Sequence, residues 1–144
     1  LAHRVTVSGT TPHALATALE AWLRGTSHPR VIAGIVAADA PRVAFLFPGQ
    51  GPQYAGMGRV LYDGNTVFRE AFDACAEALD ALLPREIRPI VFPAAGDATL
   101  LNQTEYAQPA MFAIEYALAS LWRSWGVAPV AVMGHSFGEY AAAC

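Results

Sequence analysis

The sequence predicts an α/β protein with a parallel sheet. Two apolar runs, Val43-Ala44-Phe45-Leu46-Phe47 and Val130-Ala131-Val132-Met133, lack polar alternation and read as buried strands. The segments between them carry helical rather than alternating periodicity. The second run leads directly into Gly134-His135-Ser136-Phe137-Gly138, a turn that opens another helix. The order is therefore strand, helices, strand, sharp turn, helix.

Composition narrows the function classes. Of the 144 residues, 54% are hydrophobic and 15% charged, so there is ample material for a core and no case for disorder. Net charge is -3, with acidic and basic residues mixed and no Lys/Arg cluster, which argues against a nucleic-acid partner. No apolar run is long enough to span a bilayer. Cys75 and Cys144 are too few for a disulfide framework, and a reducing cytoplasm is the expected location. No spacing of His, Cys, Asp or Glu suggests a metal site.

The chain is expected to divide near Pro41 into a small first part, 1–40, and a second part, 41–144. In the first, Arg4 to Ser8 alternates as a short strand. Thr11 then caps a helix with Pro12 at its first position, and Gly25 stops it. Val31 to Ala37 reads as a second strand. In the second part, Phe68, Phe72, Cys75, Leu79 and Leu82 form a helical stripe over Thr66 to Leu83, ended by Pro84. Cys75 lies on that stripe and reads as plain core. Ile90 to Phe92 suggests a short strand. A long helix is expected from Gln108 to Trp125, with Gln108 as N-cap and Pro109 at N1. Its inward residues would be Met111, Phe112, Tyr116, Ala119 and Trp122. Trp22, Trp122 and Trp125 all read as core, and Glu139 to Cys144 as the first turns of a last helix.

Ser136 carries the chemistry. Gly-x-Ser-x-Gly between a strand and a helix is a nucleophile elbow. The tight turn projects the serine hydroxyl from the sheet edge. Gly134 and Gly138 remove side chains that would meet the neighbouring strand and helix, and the backbone N–H of Phe137 points where an oxyanion would form. His135 is adjacent, but successive side chains at a strand end face opposite ways, so it is not expected to act as base and is placed behind the elbow. Gly49-Gln50-Gly51 follows the first buried strand, and its glycines let the backbone approach a ligand. Gln50 could offer its backbone N–H or its side chain to a reacting carbonyl. A phosphate loop fits less well, because no Gly-Lys-Ser/Thr follows. Gln108 is either a helix cap or a site residue. Gly51 and His135 complete the set of candidate substrate-binding residues with Gln108.

Taken together, the motifs resemble a known family. Phe47 to Tyr54, Met57-Gly58, Tyr106-Ala107-Gln108-Pro109-Ala110, Leu121 to Val127 and Gly134 to Tyr140 occur in the order found in acyltransferase domains of type I polyketide synthases, of the malonyl-CoA:acyl carrier protein transacylase family. The likeness covers about Pro41 to Cys144, and residues 4–40 look like the end of a ketosynthase–acyltransferase linker.

That resemblance implies an α/β-hydrolase-like core with a ferredoxin-like insert. It implies a two-step transfer of a malonyl-type group from coenzyme A to Ser136 and then to the phosphopantetheine thiol of an acyl carrier protein, with no bound cofactor. Gln50 and the Phe137 N–H would form the oxyanion hole, and Gln108 would line the site. The family's catalytic histidine and carboxylate-binding arginine would lie downstream of Cys144. Adjoining ketosynthase and other synthase domains are implied as covalent partners. An apolar residue after the serine, here Phe137, tends in this family to accompany malonyl rather than methylmalonyl. Three other readings compete: a serine hydrolase of the esterase or lipase kind, a free-standing malonyl transferase of fatty-acid synthesis, and an inert piece without its base. The first lacks a His-Gly-Gly-Gly oxyanion loop, and the second would not need residues 4–40.

Overall fold

A computed structural model describes residues 2–36, 41–94 and 99–144. The chain forms two compact units, Leu1–Pro41 and Arg42–Cys144.

The first unit pairs strand β1 (His3–Val7) antiparallel with β2 (Val31–Ile35), His3 opposite Ile35 and Val7 opposite Val31. Helix α1 (Pro12–Leu23) connects them. The Thr11 hydroxyl accepts from the Ala14 N–H at 3.1 Å, satisfying one of the free donors of the first turn. At the other end Gly25 takes φ +71, donates to Trp22 O at 2.9 Å, and lets Thr26 N–H reach back to Ala21 O at 2.9 Å. This is the paired C-terminal cap that only a left-handed residue allows. The small side chains of Ala18 and Ala21 form the buried face of α1. Trp22, read as core from the sequence, is instead 41% exposed. The second strand ends at Ile35, one residue short of Val36, which the expected strand included; Ala37 lies outside the described residues.

The second unit contains strand β3 (Ala44–Phe47) and β4 (Ala131–Gly134), paired in parallel from Ala44↔Ala131 to Phe47↔Gly134. Between them run α2 (Arg59–Gly64), α3 (Thr66–Asp80), α4 (Ile87–Val91), a 3₁₀ turn (Leu100–Asn102) and α5 (Thr104–Ser124); α6 (Gly138–Ala143) follows β4. A crossover of this length is what joining two parallel strands demands. The core lies where α3 packs on α5: Phe68, Phe72, Ile87, Val91 and Leu101 are all but fully buried. Tyr62, Phe72 and Phe92 make an aromatic trio with ring centroids 4.8 to 5.6 Å apart. The Arg59 guanidinium stacks 4.8 Å from the Phe92 ring and donates to Phe92 O at 2.8 Å. Cys75 is half-buried against this cluster, and burial, with a smaller contribution from Cys144, pushes its thiol up to about 11.

Four expectations are corrected. The run Ile90 to Phe92 is not a strand. Ile90 and Val91 close α4, with Phe92 as its C-cap; the buried Ile87, Ile90 and Val91 recur at helical spacing, and the first N–H of α4 is taken by Asp80 Oδ1 at 2.7 Å. The long helix begins at Thr104 rather than at Gln108, so Pro109 sits inside it. A proline there removes one backbone bond, which burial of Tyr106, Ala107, Ala110 and Met111 offsets. The inward stripe of α5 runs through Ala110, Met111, Ala113, Ile114, Ala117 and Leu121. Phe112 and Tyr116 are half-buried and stacked on each other, Trp122 is 46% exposed, and Trp125 is 59% exposed. Finally, the strands are not enclosed on both faces. Leu46 and Met133 are 70% and 67% exposed, because among the described residues no helix packs on the face that carries them.

Candidate active site

The elbow is built by backbone constraints. The parallel ladder extends one residue past β4, where His135 N–H donates to Phe47 O at 3.0 Å. The chain then reverses. Ser136 has φ +54, the only positive φ outside glycine among the described residues. A left-handed serine costs on the order of 1–2 kcal/mol and persists only where its surroundings enforce it. Three turn bonds do so: Gly138 N–H to His135 O at 3.0 Å, Glu139 N–H to Ser136 O at 3.1 Å and Tyr140 N–H to Phe137 O at 3.1 Å. The flanking glycines are required by space. A Cβ on Gly134 would run into the Glu139 backbone, and one on Gly138 into the carbonyl oxygens of Phe47 and Pro48. Ser136 itself is exposed. The Phe137 N–H has no acceptor among the described residues.

The Gly49-Gln50-Gly51 turn lies against the elbow. A Cβ at Gly49 would stand 2.9 Å from His135 O, 3.2 Å from His135 Nδ1 and 3.3 Å from Ser136 Cβ. Only glycine allows that approach. Gly51 takes φ +140 and donates its N–H to Gln53 Oε1 at 2.7 Å. The Gln50 side chain turns toward α5. Its Nε2 donates to Thr104 Oγ1 at 3.3 Å, and its Oε1 accepts from Gln108 Nε2 at 3.4 Å.

The fold thus brings Ser136, Phe137, Gln50, Gly51 and Gln108 into one neighbourhood from three separate stretches of sequence. His135 is exposed, with its ring beside Gly49. Among the described residues, no histidine ring is hydrogen-bonded to the Ser136 hydroxyl. Two residues escaped the sequence reading. Thr104 lies just before the Tyr106–Ala110 stretch; its part in the site becomes visible only when α5 is seen to start one turn before Gln108. Glu115 is the other, a charged residue on the buried face of α5.

Glu115 is 5% exposed, and neither carboxylate oxygen has a hydrogen-bond partner among the described residues. It lines an open, largely apolar cavity of about 580 Å³ with Phe45, Phe47, Met57, Phe68 and Ile114. Burial pushes its carboxyl up to about 7, since the apolar wall disfavours the charged form. No group of three or more His, Cys, Asp and Glu residues among the described residues is placed to hold a metal ion.

The acyl transferase domain family matches residues 44–144. The chain belongs to that family. It is 43% identical over its whole length to the spectinabilin polyketide synthase system protein NorA' of Streptomyces orinoci, and 45% identical over 141 residues to polyketide synthase GfsB of Streptomyces halstedii. It spans only 4% and 2% of the length of those two relatives. Among solved structures, the acyltransferase domain from the second module of the salinomycin polyketide synthase matches 99% of this chain with TM-score 0.85 and 43% identity; the match covers 32% of that structure's chain. The acyl-carrier-protein S-malonyltransferase of Burkholderia pseudomallei matches 71% of this chain and 31% of its own, with TM-score 0.60 and 39% identity. The chain is therefore an acyltransferase segment of polyketide synthase type with an α/β core.

Proposed function

We propose that Ser136 is the nucleophile of a malonyl-type transfer from coenzyme A to an acyl carrier protein. The observation that carries this reading is the left-handed serine between two glycines that cannot be enlarged, set against the Gly49–Gln50 turn. In the first half-reaction, Ser136 Oγ bonds to the thioester carbonyl carbon and the carbon–sulfur bond breaks. The hydroxyl proton leaves through a general base and ends on the coenzyme A sulfur. In the second half-reaction, the phosphopantetheine thiol attacks the ester, the Oγ–carbon bond breaks, and the thiol proton returns to Ser136.

The tetrahedral oxyanion of each step needs two donors. The N–H of Phe137, which has no acceptor among the described residues, is one. Gln50 supplies the other through its backbone N–H, since its side-chain amide is turned toward Thr104 and Gln108 on α5. Gln108, Gly51 and His135 line the substrate side. Phe137 favours malonyl over methylmalonyl, a reading that rests on the family tendency and fits the malonyltransferase named among the similar structures. Residues 1–40 serve as the end of a linker to a preceding ketosynthase. The similar salinomycin synthase domain, which matches nearly the whole chain, supports that assignment. The protein works in the cytoplasm.

The test is intact-mass analysis of the full-length protein with malonyl-CoA and with methylmalonyl-CoA. A malonyl adduct that disappears in Ser136→Ala and forms faster than the methylmalonyl adduct is the expected result. Adduct formation that survives Ser136→Ala would remove the nucleophile assignment, and equal or reversed rates would remove the malonyl preference.

A further inference from the structure

We infer that Thr104 is a positioning residue for the reaction: it holds the Gln50 turn at the working distance from Ser136. This rests on the proposed role of Ser136 and Gln50.

Gln50 and Gly51, the latter at φ +140, are exposed, whereas Gly49 is buried against the elbow. Exposed loop residues do not hold a backbone N–H in place unaided. Beyond the packing of Gly49, the anchor is the Gln50 side chain. The Gln50 amide has one donor end and one acceptor end in use, Nε2 to Thr104 Oγ1 and Oε1 from Gln108 Nε2, which fixes which way the amide points. Thr104 and Gln108 are four residues apart in α5 and so share one face of the helix.

That helix is well anchored. Tyr106, Ala107, Ala110 and Met111, the residues between and just beyond the two anchors, are buried. The turn is therefore clamped at two points to the most deeply packed helix of its unit. Gln108 lies in the stretch Tyr106–Ala110 that carries the family resemblance; Thr104 lies just before it. Its hydroxyl acts as an acceptor, so valine, of the same shape, removes the contact and serine keeps it.

The experiment uses the full-length protein and three proteins: wild type, Thr104→Val and Thr104→Ser. Single-turnover acylation of Ser136 by malonyl-CoA is followed by rapid-quench intact mass. Hydrogen exchange is read at residues 49–51 and, for reference, in α3. Thr104→Val is expected to lower the acylation rate constant roughly three- to tenfold, the effect of one modest hydrogen bond lost from a transition-state donor. Half-saturation by malonyl-CoA is expected to stay within about twofold, since the clamp positions a group that acts on the transition state. Exchange at 49–51 should quicken while α3 stays unchanged, and Thr104→Ser should match wild type in both readouts.

An unchanged rate and unchanged exchange in Thr104→Val would overturn the inference. So would a serine variant as slow as the valine variant, or a loss carried wholly by half-saturation. If wild type forms no acyl-enzyme, the transfer reading falls and takes the catalytic part of this inference with it. Quickened exchange at 49–51 in Thr104→Val would still establish the clamp.

Discussion

Replacing Gly138 by alanine tests whether backbone contact between α6 and β3 sets the geometry of Ser136, the proposed nucleophile. The new Cβ would stand 2.6 Å from Pro48 O and 2.8 Å from Phe47 C, and closer still to Phe47 O. An ordinary carbon–oxygen contact is about 3.3 Å or more, so the elbow and the strand end must separate by roughly 0.7 Å or further. No rotamer change relieves this, because every atom in the way is backbone. Overpacking of this kind costs about 1–3 kcal/mol. The functional cost is larger, because the displaced atoms are those that place the Phe137 N–H and Ser136 against the Gly49–Gln50 turn. A shift near 1 Å in reacting groups costs on the order of 10²-fold in rate. Intact-mass acylation kinetics of Gly138→Ala in the full-length protein should show that loss, with a melting temperature lowered by only a few degrees. Wild-type acylation in a variant that melts normally would refute the argument that this contact sets the site.

Two further outcomes follow from the core. Glu115 has its carboxyl raised from 4.5 to about 7 by burial. Between those values the folded state keeps a proton the unfolded state has released, so stability falls as pH rises through that window and levels off above it. The adjoining cavity is open to water, so the effect is discounted to about 1–2 kcal/mol. The opening free energy of α5, from hydrogen exchange corrected for intrinsic rates, should drop by that amount between pH 5 and pH 8, and Glu115→Gln should flatten the dependence. A profile identical in both proteins would refute the burial argument. Phe72 is fully buried and packs against Tyr62 and Phe92 at 5.6 and 5.0 Å, so Phe72→Ala should cost about 3–5 kcal/mol by chemical denaturation. A loss below about 1 kcal/mol would mean the aromatic trio does not support the core.

Local rules explain what could be read from residues alone. Thr11, Pro12 and Gly25 bound α1 through bonds spanning three to five residues, and the structure places them as read. The elbow is equally local: strand, two glycines and a serine in left-handed geometry all lie within a few positions. The misreadings arise where distant packing overrides a local signal. Pro109 is a good first helical residue, yet burial of Tyr106 and Ala107 carries α5 a turn further back. The aromatic residues of α5 drew attention to Phe112, Tyr116 and Trp122, while the true buried stripe is largely alanine, which leaves little hydrophobic signature. Ile90 to Phe92 was too short to distinguish strand from helix, and Asp80, seven residues before Ile87, decided it by taking the first N–H.

The sequence by itself determined the serine turn between β4 and α6, the α/β class and the glycines that let strand and helix close on one another. These depend on backbone conformations and short-range sterics that residue type largely dictates. Only the tertiary structure decided that Gln50 reaches across to Gln108 and Thr104, and that Glu115 lies buried with no hydrogen-bond partner among the described residues. Both depend on pairs more than fifty residues apart, or on the walls of a cavity built from several elements. No local pattern encodes such distances; they exist only once the α3–α5 core has fixed where the face of α5 lies relative to the end of β3.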